Sequence, residues 1–545
     1  MPSMKMNDDL WISGHRSRPA DGRTVHKSLL MAALAFCITL GCAVGPDYEP
    51  PETRMPDAWH QTMTKGLDEG KANIQTWWLL LNDPTLNSLI VRAGRGNLDL
   101  KVAVVRIFEA RALRSIAAGE LLPAVEGTGF YQRARVSENG LLAPPPKGPS
   151  PTQQLGSIAL QRVTPLAGLL PPPERHSTPD QTNLHSLGFD ASWEIDIFGG
   201  IRRSVESADA DLQSAIEDYR DVLVSLYAEV ALNYVDARAL QARLAYARSN
   251  TDIQRKTLDL TRNRFEAGIA PELDVAQAES NLANTESEIP RLEVALTQTI
   301  NRLGVLLGEY PSFLHDELSR AAPIPVPPPD VTVGLPAELL RQRPDVRRAE
   351  RELASATAQI GVATADLYPR FSLSGTFALE GMQVKDLGKM DSRAWSFGPS
   401  FRWNIFDGVR NIYRIEAAEA ITEQARLRYE QTVLDALQDV ENSMVAFKME
   451  QLRREALVRA VDATKRSVKY VQTLYETGLT DFQNVLDMQR SLFQQQDKLA
   501  ESEGLVTVNL ISLYKALGGG WSLAVNMSED AELARESAST RPAEE

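Results

Sequence analysis

Between Gly200 and Gly268 the chain runs for 67 residues without a glycine or proline, and between Gly408 and Gly478 for another 69. Nothing in the sequence constrains the fold more. With both helix-breaking residues absent, each stretch is predicted as one continuous helix, roughly 100 Å long at about 1.5 Å per residue. In the first, Leu212, Ile216, Tyr219, Leu223, Leu226, Val230, Asn233, Ala237, Leu240 and Leu244 recur in 4-3 spacing, the seam of a coiled coil. Many seam neighbours are Ala or Ser, which suits helices packed side by side. Gly268 and Gly478 are read as C-cap glycines that end the long helices, and Pro271 opens the helix that follows. The segments RFEAGIAPE and LYETGLTDF are therefore the tips of two long helical hairpins.

The hairpins belong to an internal repeat. The segment from Asn97 aligns with that from Arg343 at an offset of 246, pairing Asp99 with Asp345 and Pro123 with Pro369. DIFGGIRR from Asp196 aligns with NIFDGVRN from Asn404 at 208, and the tips align at 210, Gly268 with Gly478 and Gly308 with Gly518. The drop from 246 to 208 leaves 38 extra residues in the first repeat between Pro123 and Asp196. They include LLAPPPKGPSPTQQ and GLLPPPERHSTPDQ, whose prolines forbid regular structure and predict an exposed loop. The predicted organisation is a signal region at 1–41, a lipidated N-terminal segment at 42–94 and a first repeat at 95–310. A Pro-rich linker at 311–342, a second repeat at 343–520 and an acidic tail at 521–545 complete it.

A different pattern precedes each long helix. Trp395, Phe397, Pro399, Phe401, Trp403 and Ile405 alternate with polar or small residues; so do Leu187, Phe189, Ala191, Trp193, Ile195 and Ile197, and Phe371, Leu373, Gly375, Phe377 and Leu379. A weaker segment runs from Ala124 to Tyr131. These predict strands of about ten residues with one apolar and one polar face. A small soluble sheet on a core fits the alternation too. However, the long helices spend their apolar positions on one another and leave the sheet no partner layer, so a membrane β-barrel with a wet lumen is the favoured reading. Four strands cannot close a barrel, since the smallest membrane barrels have about eight, and an open edge is not viable in lipid. The chain is expected to oligomerise into a hollow conduit.

Composition removes other classes. A net charge of −14 without a Lys/Arg-rich run opposes nucleic-acid binding. The only cysteines are Cys37 and Cys42, and the six histidines are scattered, so neither a disulfide framework nor a metal-ligand spacing is present in the sequence. No GxxxxGK[ST] loop and no catalytic constellation suggests an enzyme. In KSLLMAALAFCITLGC an apolar run from Leu29 to Gly41 is too short to span a bilayer and reads as a secretory h-region. Gly41-Cys42 resembles a bacterial lipobox, which makes Cys42 the lipidated first residue of the mature chain. The polar residues 1–26 sit oddly before such a signal, and translation is expected to begin near Val25.

Four segments together resemble one family. They are GCAVGPDYEPP around Cys42, WWLLLNDPTLNSLI from Trp77, LPAELLRQRPDVRRAE from Leu335 and VLDMQRSLF from Val485. The chain resembles the TolC-type outer-membrane factors, in the lipoprotein branch serving resistance-nodulation-division (RND) efflux systems (NodT/OprM-like), over nearly the whole mature length. The resemblance implies a mainly α protein with membrane β: a homotrimer with a 12-stranded outer-membrane barrel continued by a 12-helix periplasmic coiled-coil tube. It implies a passive exit duct for drugs or other small molecules, with tips around Gly268 and Gly478 docking on a periplasmic adaptor joined to an inner-membrane RND-type transporter. It places Asp274, Tyr475, Asp487 and Arg490 in a periplasmic gate, and no cofactor beyond the lipid on Cys42. Asp487 and Arg490 are otherwise a solvated i,i+3 pair. Asn484 and Thr480 depart from the TolC branch, which has Asp and Arg there. The competing reading is a lipid-anchored periplasmic coiled-coil adaptor or structural protein.

Overall fold

The computed structural model describes residues 43–52, 55–61, 67–70, 74–135, 182–328, 331–334, 336 and 342–521. The signal region, Cys42, the Pro-rich insert of the first repeat and the tail beyond Trp521 lie outside the described residues. The chain forms two compact units, one built from 118–203 and 361–411 with the segment before Pro46, the other from the remainder.

The first unit is an antiparallel sheet of four strands in the order β2-β3-β5-β6. These are β2 (Ala124–Ala134), β3 (Thr182–Ile195), β5 (Arg370–Gly381) and β6 (Arg393–Arg402); β1 and β4 belong to the second unit. Register puts like with like. Gly127, Phe189, Phe377 and Trp395 form one row across the sheet, and Val125, Ala191, Gly375 and Phe397 the next. This face is uncovered: Phe189 is 62 % exposed, Trp395 76 % and Phe397 72 %. The opposite face is tied by hydroxyls and carboxylates, with Thr128 donating to Asp190 at 2.9 Å, and Thr376 meeting Ser396 at 2.8 Å and Ser372 meeting Ser400 at 2.9 Å. Cross-strand pairs of this kind are the unit of sheet stability. The segment just after Cys42 joins the same unit. The Val44 N–H donates to the Phe198 carbonyl at 3.0 Å, and Arg203 donates to the carbonyls of Val44 at 3.1 Å and Gly45 at 3.3 Å.

The second unit is helical. Its elements are α1 (Pro84–Gly96), α2 (Leu98–Gly119), α3 (Gly200–Glu266), α4 (Glu272–Leu306), α5 (Pro344–Ala365), α6 (Arg410–Glu476) and α7 (Phe482–Ala516). The 67-residue length of α3 and of α6 follows from the run without Gly or Pro. A two-stranded parallel pair, β1 (Leu67–Glu69) with β4 (Val331–Val333), also belongs here. Among the described residues no helix is long and apolar enough to cross a membrane.

A single coiled-coil seam underestimates the packing of α3. From Leu223 to Leu240 the seam positions other than the half-buried Asn233 are buried, but so are Val224, Tyr227, Ala228, Ala231, Tyr234 and Val235. A second layer causes this. Trp77 is buried and stacks on Tyr514 of α7 at 5.7 Å, while Trp78 meets Tyr227 edge-on at 5.1 Å. Next to them Asp83 caps α1, its Oδ1 accepting from the N–H groups of Thr85 and Leu86, with Pro84 at the first helical position. Its Oδ2 accepts from Tyr234 Oη at 2.7 Å. The NDP of the Trp77 motif is thus a helix start locked to a long helix.

Candidate functional site

The tips of the two hairpins are the site named by the sequence. Each is a Schellman turn. Gly268 N–H donates to Phe265 O and Ile269 N–H to Arg264 O; the same pair recurs from Gly478 to Tyr475 and from Leu479 to Leu474. Both glycines stand at φ +75° with open space within 4 Å of where a side chain would begin, so the need for Gly is purely one of backbone conformation. Gly478→Ala is accordingly expected to cost about 1–2 kcal/mol, seen as faster amide exchange in the last turn of α6 without a change in helix content. The residues after the glycines project outward, Ile269 66 % and Leu479 75 % exposed.

Behind the turns lies a small apolar cluster of Leu258, Ala278, Tyr475, Phe482, Val485 and Leu486. Tyr475 is buried in it, 5.2 Å from the Phe482 ring, and burial pushes its phenol up. Arg264, which the sequence reading passed over, binds the hairpins together. Its Nη1 donates to Tyr475 O at 3.1 Å and Glu476 O at 3.2 Å, and its guanidinium lies 4.7 Å over the Tyr475 ring. A basic residue four positions before a C-cap glycine was the available signal.

The remaining expected residues are placed as follows. Asp274 sits in the first turn of α4, partly buried; desolvation holds its carboxyl above the usual range, Asp481 pushes the same way and Arg264 opposes both. Asp487 is exposed and accepts from Gln483 at 3.0 Å. Arg490 turns to α4 instead of Asp487, donating from Nε to Asn281 Oδ1 at 3.1 Å. Asn484 and Thr480, the two departures from the TolC branch, hydrogen-bond to each other at 2.9 Å.

Above the cluster, α3 carries two ladders on a seven-residue period. On one side Arg248, Arg255 and Arg262 pair with Glu293, Glu286 and Glu279 of α4 at 2.8, 3.0 and 2.6 Å. On the other, Gln489 of α7 donates to Thr257 at 2.8 Å and Asn250 to Gln496 of α7 at 2.6 Å. This second seam is buried and incompletely satisfied: both amide atoms of Gln254 and Gln489 Oε1 lack a hydrogen-bond partner among the described residues.

Known proteins share this architecture. Residues 89–309 and 335–519 match the family model described as outer membrane efflux protein. Nodulation protein T of Rhizobium leguminosarum bv. trifolii is 31% identical over 483 residues, covering 88% of this chain and 95% of that protein. The antibiotic efflux pump outer membrane protein ArpC of Pseudomonas putida is 30% identical over 503 residues, 91% of this chain and 96% of that protein. The solved structure of the outer-membrane channel OprN superposes with a TM-score of 0.77 at 34% identity, covering 88% of this chain and 100% of that one.

Proposed function

Because the chain belongs to the outer membrane efflux protein family, we propose that it is the outer-membrane exit duct of a tripartite efflux pump, conducting small molecules passively outward. One observation carries the assembly. Among the described residues the four-stranded sheet has an uncovered apolar face and two unpaired edges, β2 and β6. Open edges are not viable in lipid, so β6 of one copy pairs with β2 of the next. Three copies of four strands give a 12-stranded barrel, and their hairpins α3/α4 and α6/α7 a 12-helix periplasmic tube. The adaptor reading leaves that apolar face without a role.

The lipid on Cys42 anchors the mature chain, and the hold of Phe198 and Arg203 on residues 44 and 45 supports an anchor at the sheet. At the tips, Gly268 and Gly478 shape the turns that present Ile269 and Leu479 to a periplasmic adaptor, which links the duct to an RND-type transporter. Tyr475, Asp274 and Arg490 hold neighbouring helices, and Asp487 faces the constriction, where a ring of carboxylates favours cations. Single-channel conductance of the full-length protein in planar bilayers tests this. Small, cation-biased openings that enlarge in Asp487→Ala are expected. Unchanged conductance in the variant removes Asp487 from the gate, and no conductance from the wild type overturns the duct.

A further inference from the structure

After α7 the chain turns at Gly518 and reaches Trp521, which is held from three sides. Its Nε1 donates to Gln342 O at 2.8 Å, and two guanidiniums lie over its ring, Arg220 of α3 at 4.8 Å and Arg347 of α5 at 5.5 Å. The same two arginines line a cavity of about 380 Å³ together with Gln213, Glu217, Glu350 and Arg351.

The charge of this lining is not balanced, since three arginines meet two glutamates. Arg220 and Arg347 share one oxygen, Glu217 Oε1, at 2.7 Å each. Arg351 pairs with Glu350 and donates to Gln213 Oε1 at 3.1 Å. A guanidinium carries five N–H donors, and these side chains keep 29 %, 33 % and 28 % of their surface exposed, so donors remain for a further acceptor. Carboxylates fit that fork best.

Beyond Trp521 the sequence supplies them. It continues SLAVNMSEDAELARES, with Glu529, Asp530, Glu532 and Glu536 against the single basic residue Arg535. An extended chain covers roughly 3.3–3.6 Å per residue, so Glu529 and Asp530 are within reach of every wall of a cavity that begins at Trp521. The first repeat holds a finished version of the same arrangement. After α4 and Gly308 the chain enters the short helical segments Pro311–Leu314 and His315–Leu318. There Arg92 of α1 lies 5.4 Å over the Phe313 ring, and Glu317, four residues on, pairs with the same guanidinium at 2.8 Å. An aromatic under an arginine, followed in sequence by an acid, is thus already used in this chain to bind the end of one hairpin.

We propose that the cavity between Arg220, Arg347 and Arg351 is the docking site for the acidic segment of this chain's own tail, with Glu529, Asp530 and Glu532 taking up the free guanidinium donors. Docking ties the end of α7 to α3 and α5, as Phe313 and Glu317 tie the end of α4 to α1.

The test uses the full-length protein in mild detergent and follows tryptic cleavage after Arg535 by the release of peptide 536–545. Gln213 is exposed and lies outside the ion pairs, so Gln213→Glu places a competing carboxylate beside Arg351 without removing one. This variant is expected to release the peptide about fivefold faster than wild type at low salt, the scale of a few partly exposed ion pairs, with helix content unchanged. The difference should vanish at high salt, where such pairs are screened. In a Glu529→Gln/Asp530→Gln/Glu532→Gln background Gln213→Glu should have no further effect, because its competitor is gone. Equal release from wild type and Gln213→Glu, or an undiminished effect in the neutralised tail, overturns the site. A Gln213→Cys/Asp530→Cys variant treated with a short bismaleimide is expected to keep single-chain mobility on denaturing gels. A covalent oligomer instead gives the cavity to the tail of a second copy and overturns docking within one chain.

Discussion

Arg264→Ala is expected to shift the tip from closed to open by roughly 30-fold in population, read as a raised open probability in planar bilayers. The guanidinium donates to two carbonyls in the last turn of α6, which have few other partners at a helix end, and it covers the Tyr475 ring. Hydrogen bonds from a charged donor contribute about 1.5–3 kcal/mol. Arg264 is only partly buried, so about 2 kcal/mol for the whole contact is a fair discount, and about 1.4 kcal/mol is tenfold. Arg264→Lys keeps the charge but loses the planar fork and most of the stacking, so it should fall between wild type and alanine. An unchanged open probability in Arg264→Ala, with an intact fold, would make the contact a structural cap and leave the gate to other residues.

Arg264 also marks where sequence reading stops. The glycines were legible because glycine is the residue best suited to a positive φ at the end of a long helix, and both stand at +75°. The strands were legible because alternation has one structural meaning, and its phase set which face is apolar across the whole sheet. Arg264 stands four residues before a C-cap glycine, which marks a helix-end residue, but that spacing does not say that its partners are carbonyls of the other hairpin. The Arg–Glu ladder left a trace in the seven-residue spacing of Arg248, Arg255 and Arg262. That trace is weak until α3 and α4 are known to be antiparallel. Asp487 was singled out by resemblance alone; its structural surroundings, an exposed side chain and one glutamine, carry no sign of its own. The core around Trp77 was missed for another reason. Periodicity describes one face of a helix, and α3 is buried on several sides between Leu223 and Leu240.

The repeat makes its own prediction where the two halves use different side chains for one contact. Asn97 and Arg343 are equivalent at the offset of 246, and Leu306 and Ala516 at 210. Each of the first pair binds the carbonyl of the second: Asn97 Nδ2 donates to Leu306 O at 2.9 Å and Arg343 Nη1 to Ala516 O at 2.9 Å. One task, closing the C-terminal end of the second hairpin helix (α4 or α7) onto the start of the repeat, is done by a neutral amide in one half and an ion in the other. Asn97 is satisfied locally, its Oδ1 accepting from Leu100 N–H at 2.9 Å. Arg343 needs more: two bonds to Asp345 at 3.0 and 2.6 Å and longer ones to Asp439 at 3.3 Å, with its side chain only 11% exposed. Removing one member of a mostly buried pair strands the other charge, at about 3–5 kcal/mol. Arg343→Ala is therefore expected to lower the unfolding free energy by about that much, and Asn97→Ala by only about 2 kcal/mol, both read from urea unfolding followed by helical circular dichroism. The sites share no hydrogen-bond partner, so the double variant should be close to additive. Arg343→Lys decides between charge and geometry. A lysine restores the charge beside Asp345 but not the fork that serves a carboxylate and a helix end at once; full recovery would mean that the charge alone matters. Equal losses in Asn97→Ala and Arg343→Ala would mean that both halves depend on the shared helix-end bond, with the carboxylates around Arg343 adding nothing net.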